Sequence, residues 1–549
     1  MQKLSPWQRF IKLLNLERKD IFQIFYYAIF SGLVALSLPL GIQAIVNLIQ
    51  GAQISTSWII LIFLVCVGVI FTGILQLMQL RIIETIQQRI FVRSSFELSY
   101  RFPNMKNAFL RKHYPPELAN RFFDTLTVQK GISKVLIDVP AALLQIAFAL
   151  TLLSFYHPFF IMFGFILIAA VYFVFKYSVK RGIQTSLQES KFKYRVAHWI
   201  QEIARSPMSF KISGPHSIAL NKTDKLVSQY LNARENHFSI IKLQYIKMIA
   251  FKTLITASLL ITGGILVLNQ KMNIGQFVAA EIIILLVINS VEKLIIGLET
   301  IYDMLTSIEK IGQLTDFPLE KNGSQTLDYS QGISIKLEDI DLKVPERDVF
   351  ILKSINLSIT KNERLLIKGR SGSGKSSLLK IISGITEPSS GQMYINDLSS
   401  KGIKMVDFRK HISLSLSEEF PFEASLKDNL TMGNRDISDD KIIEILKIVG
   451  LGDFLKDLPH GLETILLPDG QRMSSTDAKK IILCRAILKQ PQLIILEDAL
   501  DQFSDSETKR IIDYLCEPNQ RWAMVIVSNN VYWNTYATQK ITLDRGQIS

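Results

Sequence analysis

Cysteine is scarce in this chain. Three occur in 549 residues (Cys66, Cys484 and Cys516), too dispersed for a disulfide framework or a paired metal-ligand spacing. Charge is also sparse, at 20% of residues, against roughly 25% in soluble domains. Acidic residues are rarest in the first 325 positions, where 18 Asp and Glu face 33 Lys and Arg, a net of +15. The remainder carries 31 acids and 29 bases, a net of −2. The overall +13 suggests a nucleic-acid binder only as an average. Its confinement to one half, and the uncharged stretches found there, exclude that class. Internal repeats and low-complexity tracts are lacking as well. What is abundant is apolar: 48% of the chain, too much for a disordered protein. The length suggests two to four domains.

No Asp, Glu, Lys or Arg lies between Asp20 and Arg81, from Val139 to Phe175, or from Thr253 to Gln270. A membrane helix needs about 20 mostly apolar residues. The first gap, broken near Gln50–Ser57, holds two spans. The second, broken at His157 and Pro158, holds two more. Thr253–Gln270 is a fifth, and Met272–Leu298 a sixth with Glu281 inside it. Glu281 is weighed as a functional intramembrane acid against a residue facing a helix partner or a water-filled cavity, which is the reading preferred here. Basic residues concentrate in 81–138 (ten, with five acids) and 176–252 (fourteen, with four acids), whereas the opposite loops hold only Lys271. The positive-inside rule therefore places these long segments and both termini in the cytoplasm. Met1–Asp20 reads as an interfacial helix. The first apolar run is too long for a cleavable signal peptide.

After the polar stretch 316–332, strand-like and helix-like runs alternate, which predicts an α/β domain. Gly369, Arg370, Ser371, Gly372, Ser373, Gly374, Lys375 and Ser376 fit G-x-x-x-x-G-K-[ST], between a predicted strand (364–368) and a predicted helix (377–383) that Ser377 opens. Glycines let backbone N–H groups wrap phosphates, and the helix N-terminus favours their charge. Lys375 is expected on the β- and γ-phosphates of ATP, and Ser376 on Mg²⁺. About 120 residues on, the apolar run from Leu493 ends in Glu497 and Asp498. Carboxylates there suit Mg²⁺ binding and orientation of an attacking water.

Six spans, long basic extensions and a C-terminal phosphate loop resemble an ATP-binding cassette (ABC) exporter half-transporter, most similar to bacterial peptide and type I secretion exporters. Pro115–Asp124 and Ser213–Thr223 look like the two short helices through which such exporters couple their domains. The resemblance implies an all-α transmembrane domain (1–315), a linker (316–332) and an α/β P-loop NTPase domain (333–549). It implies a multi-pass protein of the bacterial cytoplasmic membrane that carries a solute across the lipid bilayer and does not bind nucleic acid.

The family pairs each phosphate loop with an LSGGQ signature from a second subunit. Here the signature position reads Met473, Ser474, Ser475, Thr476, Asp477. The first serine, Ser474, remains as a nucleotide contact, both glycines are gone, and Asp477 adds an anion. Ser417 takes the place of the Mg²⁺-linking glutamine, so the implied metal set is Ser376, Ser417 and Glu497. Asp498 stands for the catalytic glutamate, Asn529 for the switch histidine, Val344 for the adenine-stacking aromatic residue, and Ser504 for the D-loop aspartate. Asp is one methylene shorter than Glu, and a misplacement of about 1 Å can cost on the order of 10²-fold in rate. The expectation is an ABC-type ATPase subunit that keeps ATP binding, hydrolyses weakly or through a partner, and exports a peptide, lipid or hydrophobic solute. A heterodimer with a better-equipped half-transporter is favoured over a homodimer. The alternative is a catalytically impaired, ATP-sensing membrane subunit that scaffolds or regulates such a partner.

Overall fold

The computed structural model describes residues 4–50, 56–110, 112–212, 218–344 and 348–549, excepting the side chains of 170, 174, 175, 177 and 178. It divides into two compact units. The first comprises the chain up to Asn104 and His113–Phe317; the second comprises Met105–Lys112 and Pro318–Ser549.

The first unit is helical. Five stretches among the described residues are long and apolar enough to cross a membrane: Arg18–Gln50, Thr56–Asn104, Pro115–Ser154, Ile218–Leu268 and Ile274–Thr315. The remaining expected span is the shorter apolar stretch Phe159–Phe173, which opens the helix Phe159–Arg205. The break at Pro158 is real, with the His157 Nδ1 accepting the N–H of Phe159 at 3.2 Å. The other expected break includes residues 51–55, outside those described.

Several helices outrun a bilayer. Thr56–Asn104 has 49 residues and Ile218–Leu268 has 51, each about 75 Å at 1.5 Å per residue against a hydrocarbon core of about 30 Å. The apolar parts of the long helices face outward, as at Phe63 (66% exposed) and, on Phe159–Arg205, Phe165 (71%), an apolar surface that calls for lipid. The charged parts are joined by polar pairs. Gln87 and Gln129 each donate to the other's backbone carbonyl, and Glu17 accepts from Arg89 and Arg93. Ile274–Thr315 is the central helix, burying Ile283, Ile284, Val287 and Val291 among residues such as Ala142, Ile146 and Leu259. Glu281 is half-buried on it. Pro6–Leu16, capped by Ser5, buries Arg9 and Phe10. The Arg9 guanidinium donates to Glu309 and to Asp316 Oδ1, each at 3.1 Å.

The first segment expected as a coupling helix is Pro115–Asp124 and the second is Ser213–Thr223. Pro115–Asp124 forms short helical turns inside the first unit. Residues 213–217 lie outside those described, and Ile218 opens a long helix. The segment that joins the second unit is Met105–Lys112. Pro103, without a donor N–H, stands one residue before the end of the preceding helix at Asn104. Met105 then pairs with Leu319, Lys106 bridges Glu387 at 2.9 Å, and Asn107 donates to Thr386 at 2.9 Å.

The second unit is α/β. Its six-stranded sheet runs Gln547–Ile548, Gln539–Asp544, Arg364–Lys368, Ala523–Val527, Leu493–Glu497, Ile412–Ser415, parallel except for the first strand. Leu365, Leu493 and Val525 enter one core, while Leu366, Ile494 and Met524 enter the other. Both faces are covered, which is why these strands read as unbroken apolar runs. A four-stranded antiparallel sheet adds Phe350–Ile359, Ile335–Lys343, Ser390–Ile395 and Leu398–Ser399. Residues from Pro318 onward, expected as linker, belong to this unit. Gly323 and Gln325 hydrogen-bond to Ile403 and Gly402, and buried Tyr329 stacks on His411.

Candidate nucleotide-binding site

Three central parallel strands end on the same side, the place where open α/β sheets bind ligands. The loop after Arg364–Lys368 is the phosphate loop. Gly369 has φ 152°, and a Cβ there would sit 2.2 Å from the Leu543 carbonyl oxygen; Gly374 has φ 104°. Only glycine meets both demands. Gly374 caps the helix Lys375–Ile382 without a side-chain hydrogen bond, so the first N–H groups, including those of Lys375, Ser376 and Ser377, have no side-chain cap. Lys375 Nζ lies across the loop and donates to the carbonyls of Gly369 (2.8 Å) and Arg370 (2.9 Å). Arg370, Ser371 and Gly372 are exposed. Ser373 is buried, and its Oγ has no partner among the described residues. Uncapped N–H groups, a cation and an orphaned hydroxyl fit a polyphosphate.

Beside this loop, Glu497 ends its strand 4% exposed. One carboxylate oxygen accepts from Ser376 Oγ and the other from Ser417 Oγ at 3.3 Å. The three residues read as metal ligands therefore meet. Two hydroxyls and one carboxylate are hard oxygen donors, the set that Mg²⁺ takes while keeping waters and phosphate oxygens. They fit that ion, and no cluster of three His, Cys, Asp or Glu suited to another metal occurs among the described residues.

Asp498 follows with φ 46°, and its N–H donates to Val527 O at 2.9 Å. Burial, together with the nearby Asp501 and Glu497, pushes its carboxyl above the usual range, and Lys375 opposes this. Asp501 went unnoticed in the sequence, where only its three-residue spacing from Asp498 marks it. It accepts Ser528 Oγ at 2.7 Å, and Ser528 Oγ accepts the Asn530 N–H at 3.0 Å. Asn529 is exposed just beyond the strand Ala523–Val527.

The remaining positions serve local structure. Ser474 caps the helix Ser475–Leu488 by accepting the Asp477 N–H at 2.9 Å and donates to Asp477 Oδ2 at 2.6 Å. Ser504 caps Asp505–Leu515 in a capping box with Glu507. Val344 hydrogen-bonds to Val349 and offers no ring. The aromatic side chain nearby is Phe350, with Lys343 Nζ 4.8 Å from its ring centroid.

Residues 352–501 match the family model described as ABC transporter. Over 293 residues the chain is 29% identical to the alpha-hemolysin translocation ATP-binding protein HlyB of Escherichia coli O157:H7, covering 52% of this chain and 41% of that protein. It is 28% identical to the glutathione/L-cysteine transport system ATP-binding/permease protein CydC of Escherichia coli K12, covering 45% of this chain and 43% of the relative. The chain thus spans less than half the length of these curated relatives. A bacterial Atm1-family ABC exporter with ATP bound superposes with a TM-score of 0.85 at 14% identity, over 97% of this chain and 94% of the other. The fold is that of an ABC exporter.

Proposed function

We propose that this chain, which carries an ABC transporter domain on an ABC exporter fold, is a half-transporter subunit that binds ATP and Mg²⁺ and drives export of a peptide, lipid or hydrophobic solute. The observation that carries this reading is the meeting of Ser376, Ser417 and Glu497 beside an intact phosphate loop. On ATP binding, Lys375 exchanges two backbone carbonyls for phosphate oxygens. The N–H groups of the loop and helix start, together with Ser373 Oγ, hold the phosphates. Ser376, Ser417 and Glu497 hold Mg²⁺, which when bound neutralises phosphate charge and polarises the terminal phosphoryl group. Asp498 is the group placed to orient a water. Its side chain, one methylene shorter than glutamate, makes this chain's own hydrolysis weak.

Ser474 supports the pairing with a better-equipped subunit in a heterodimer. Its hydroxyl is already engaged with Asp477, and a phosphate brought there meets an anion. A bacterial cytoplasmic membrane location and cytoplasmic termini belong to the same proposal. The test is nucleotide binding and ATP turnover by the purified full chain, alone and with candidate partner half-transporters. Turnover by the chain alone at ordinary transporter rates, abolished by Lys375→Ala, would overturn the weak-hydrolysis reading. A complex that transports normally with Lys375→Ala would overturn a driving role for ATP at this site. The second reading, a catalytically impaired, ATP-sensing subunit that scaffolds or regulates a competent partner half-transporter, draws on the same Ser474–Asp477 engagement. It predicts ATP binding without turnover by this chain alone, the turnover of a complex being the partner's.

A further inference from the structure

The helix Pro6–Leu16 is held in the first unit through Arg9, leaving Trp7 and Ile11 outward at 42% and 54% exposure. Beside Trp7, on the helix Phe159–Arg205, lies a cavity of about 580 Å³ lined by Tyr172, Lys176, Lys180, Ile183 and Gln184. Tyr172, Lys176, Lys180 and Gln184 recur every fourth residue and so share one helix face. The cavity begins where the apolar stretch Phe159–Phe173 ends, at the level where a span meets its headgroups. Its walls are mostly apolar, the exposed Lys176 and Lys180 contribute to them, and no acidic residue lines it among the described residues. Lys176 Nζ lies 5.5 Å from the Tyr172 ring centroid, an anchored rather than freely extended cation.

We infer that this cavity binds one anionic phospholipid, with its phosphate between Lys176 and Lys180 and an acyl chain against Trp7 and Tyr172. The argument is charge complementarity combined with position. A zwitterionic phospholipid brings a cationic group that cancels the charge of its phosphate beside two lysines, and a soluble anion leaves the aromatic walls wet. Trp and Tyr beside Lys at the end of a span are the residues whose amphipathic rings and long stems suit the headgroup region. The occupant is structural or regulatory, and this reading does not depend on ATP binding.

The test is native mass spectrometry of the full chain with phosphatidylglycerol or phosphatidylcholine of identical acyl chains. Wild type should retain phosphatidylglycerol on the order of tenfold better, since each lysine near an anionic headgroup contributes severalfold. K176Q/K180Q should lose this preference while still retaining either lipid, K176R/K180R should keep it, and Trp7→Ala should weaken both lipids alike. Glycerol phosphate, the headgroup without chains, should not compete. Equal retention by wild type, an unchanged preference in K176Q/K180Q, or full competition by glycerol phosphate would each overturn the assignment. Thermal unfolding of the full chain, compared with wild type, reports whether each variant is folded.

Discussion

Ser417 donates a 3.3 Å hydrogen bond to one oxygen of Glu497, whose other oxygen takes the hydroxyl of Ser376. Residues from the ends of two strands and the start of a helix, 121 positions apart at the widest, are thereby gathered around one buried carboxylate. A serine at 417 reaches less far than a glutamine, but it still touches the acid that would share the ion.

Glu497→Gln should remove the Mg²⁺-dependent part of nucleotide affinity. The carboxylate is the only charged member of the set, and hydrogen bonds or contacts to a charged group are worth about 1.5–3 kcal/mol. Titration calorimetry should show ATP affinity in Mg²⁺ falling by roughly 10- to 100-fold, with affinity in EDTA little changed.

Lys375→Ala should weaken ATP in both conditions. The ammonium already bridges two loop carbonyls, so its loss removes a phosphate contact and loosens the loop. Affinity should drop on the order of 100-fold, equivalent to about 2.7 kcal/mol, with the melting temperature of the free protein nearly unchanged. Gly369→Ala should abolish binding for a different reason, because its Cβ meets a backbone oxygen at 2.2 Å.

Asp498→Asn should separate binding from turnover. The side chain is not among the residues gathered on Glu497, so ATP affinity should stay within about threefold. Any hydrolysis that depends on this chain's carboxylate should vanish, since general-base or water-positioning groups contribute about 10²–10⁴-fold. Phosphate release by the assembled transporter measures the rate.

Acid stability should depend on Lys480. This buried lysine bridges Glu507 at 2.6 Å, and that hydrogen bond, reinforced by Ser504, holds the Glu507 carboxyl below its ordinary value of 4.5. A depressed folded value means the pair stabilises the protein above the unfolded value and fades as pH falls through the folded one. Wild type should therefore lose melting temperature on acidification below about pH 4.5. Lys480→Met, close in volume and uncharged, should start lower and show a smaller loss over that interval.

Much of this architecture is legible in the residues. Charge gaps mark the spans because a bilayer admits few ionisable groups. The strands Arg364–Lys368 and Leu493–Glu497 are legible because both sheet faces are buried. Glu497, Ser376 and Ser417 are legible as a set only through the family resemblance, since no local spacing links a serine at 417 to an acid at 497. The Asp501–Ser528 bond escapes because strand order, not sequence distance, makes those residues neighbours. The membership of Met105–Lys112 in the second unit escapes for a related reason. The segment is short and unremarkable until Leu319 and Glu387 are beside it.

That segment has a practical consequence. Met105–Lys112 belongs to the second unit although some 200 residues separate it from Pro318. The boundary between the two units is therefore not a point on the chain, and no single cut yields both intact. A fragment beginning at Pro318 would keep the phosphate loop but lose the strand-like partner of Leu319 and the cation opposite Glu387. Such a cassette, the obvious soluble piece to purify, would be an amputated one, and its properties would understate those of the protein it came from.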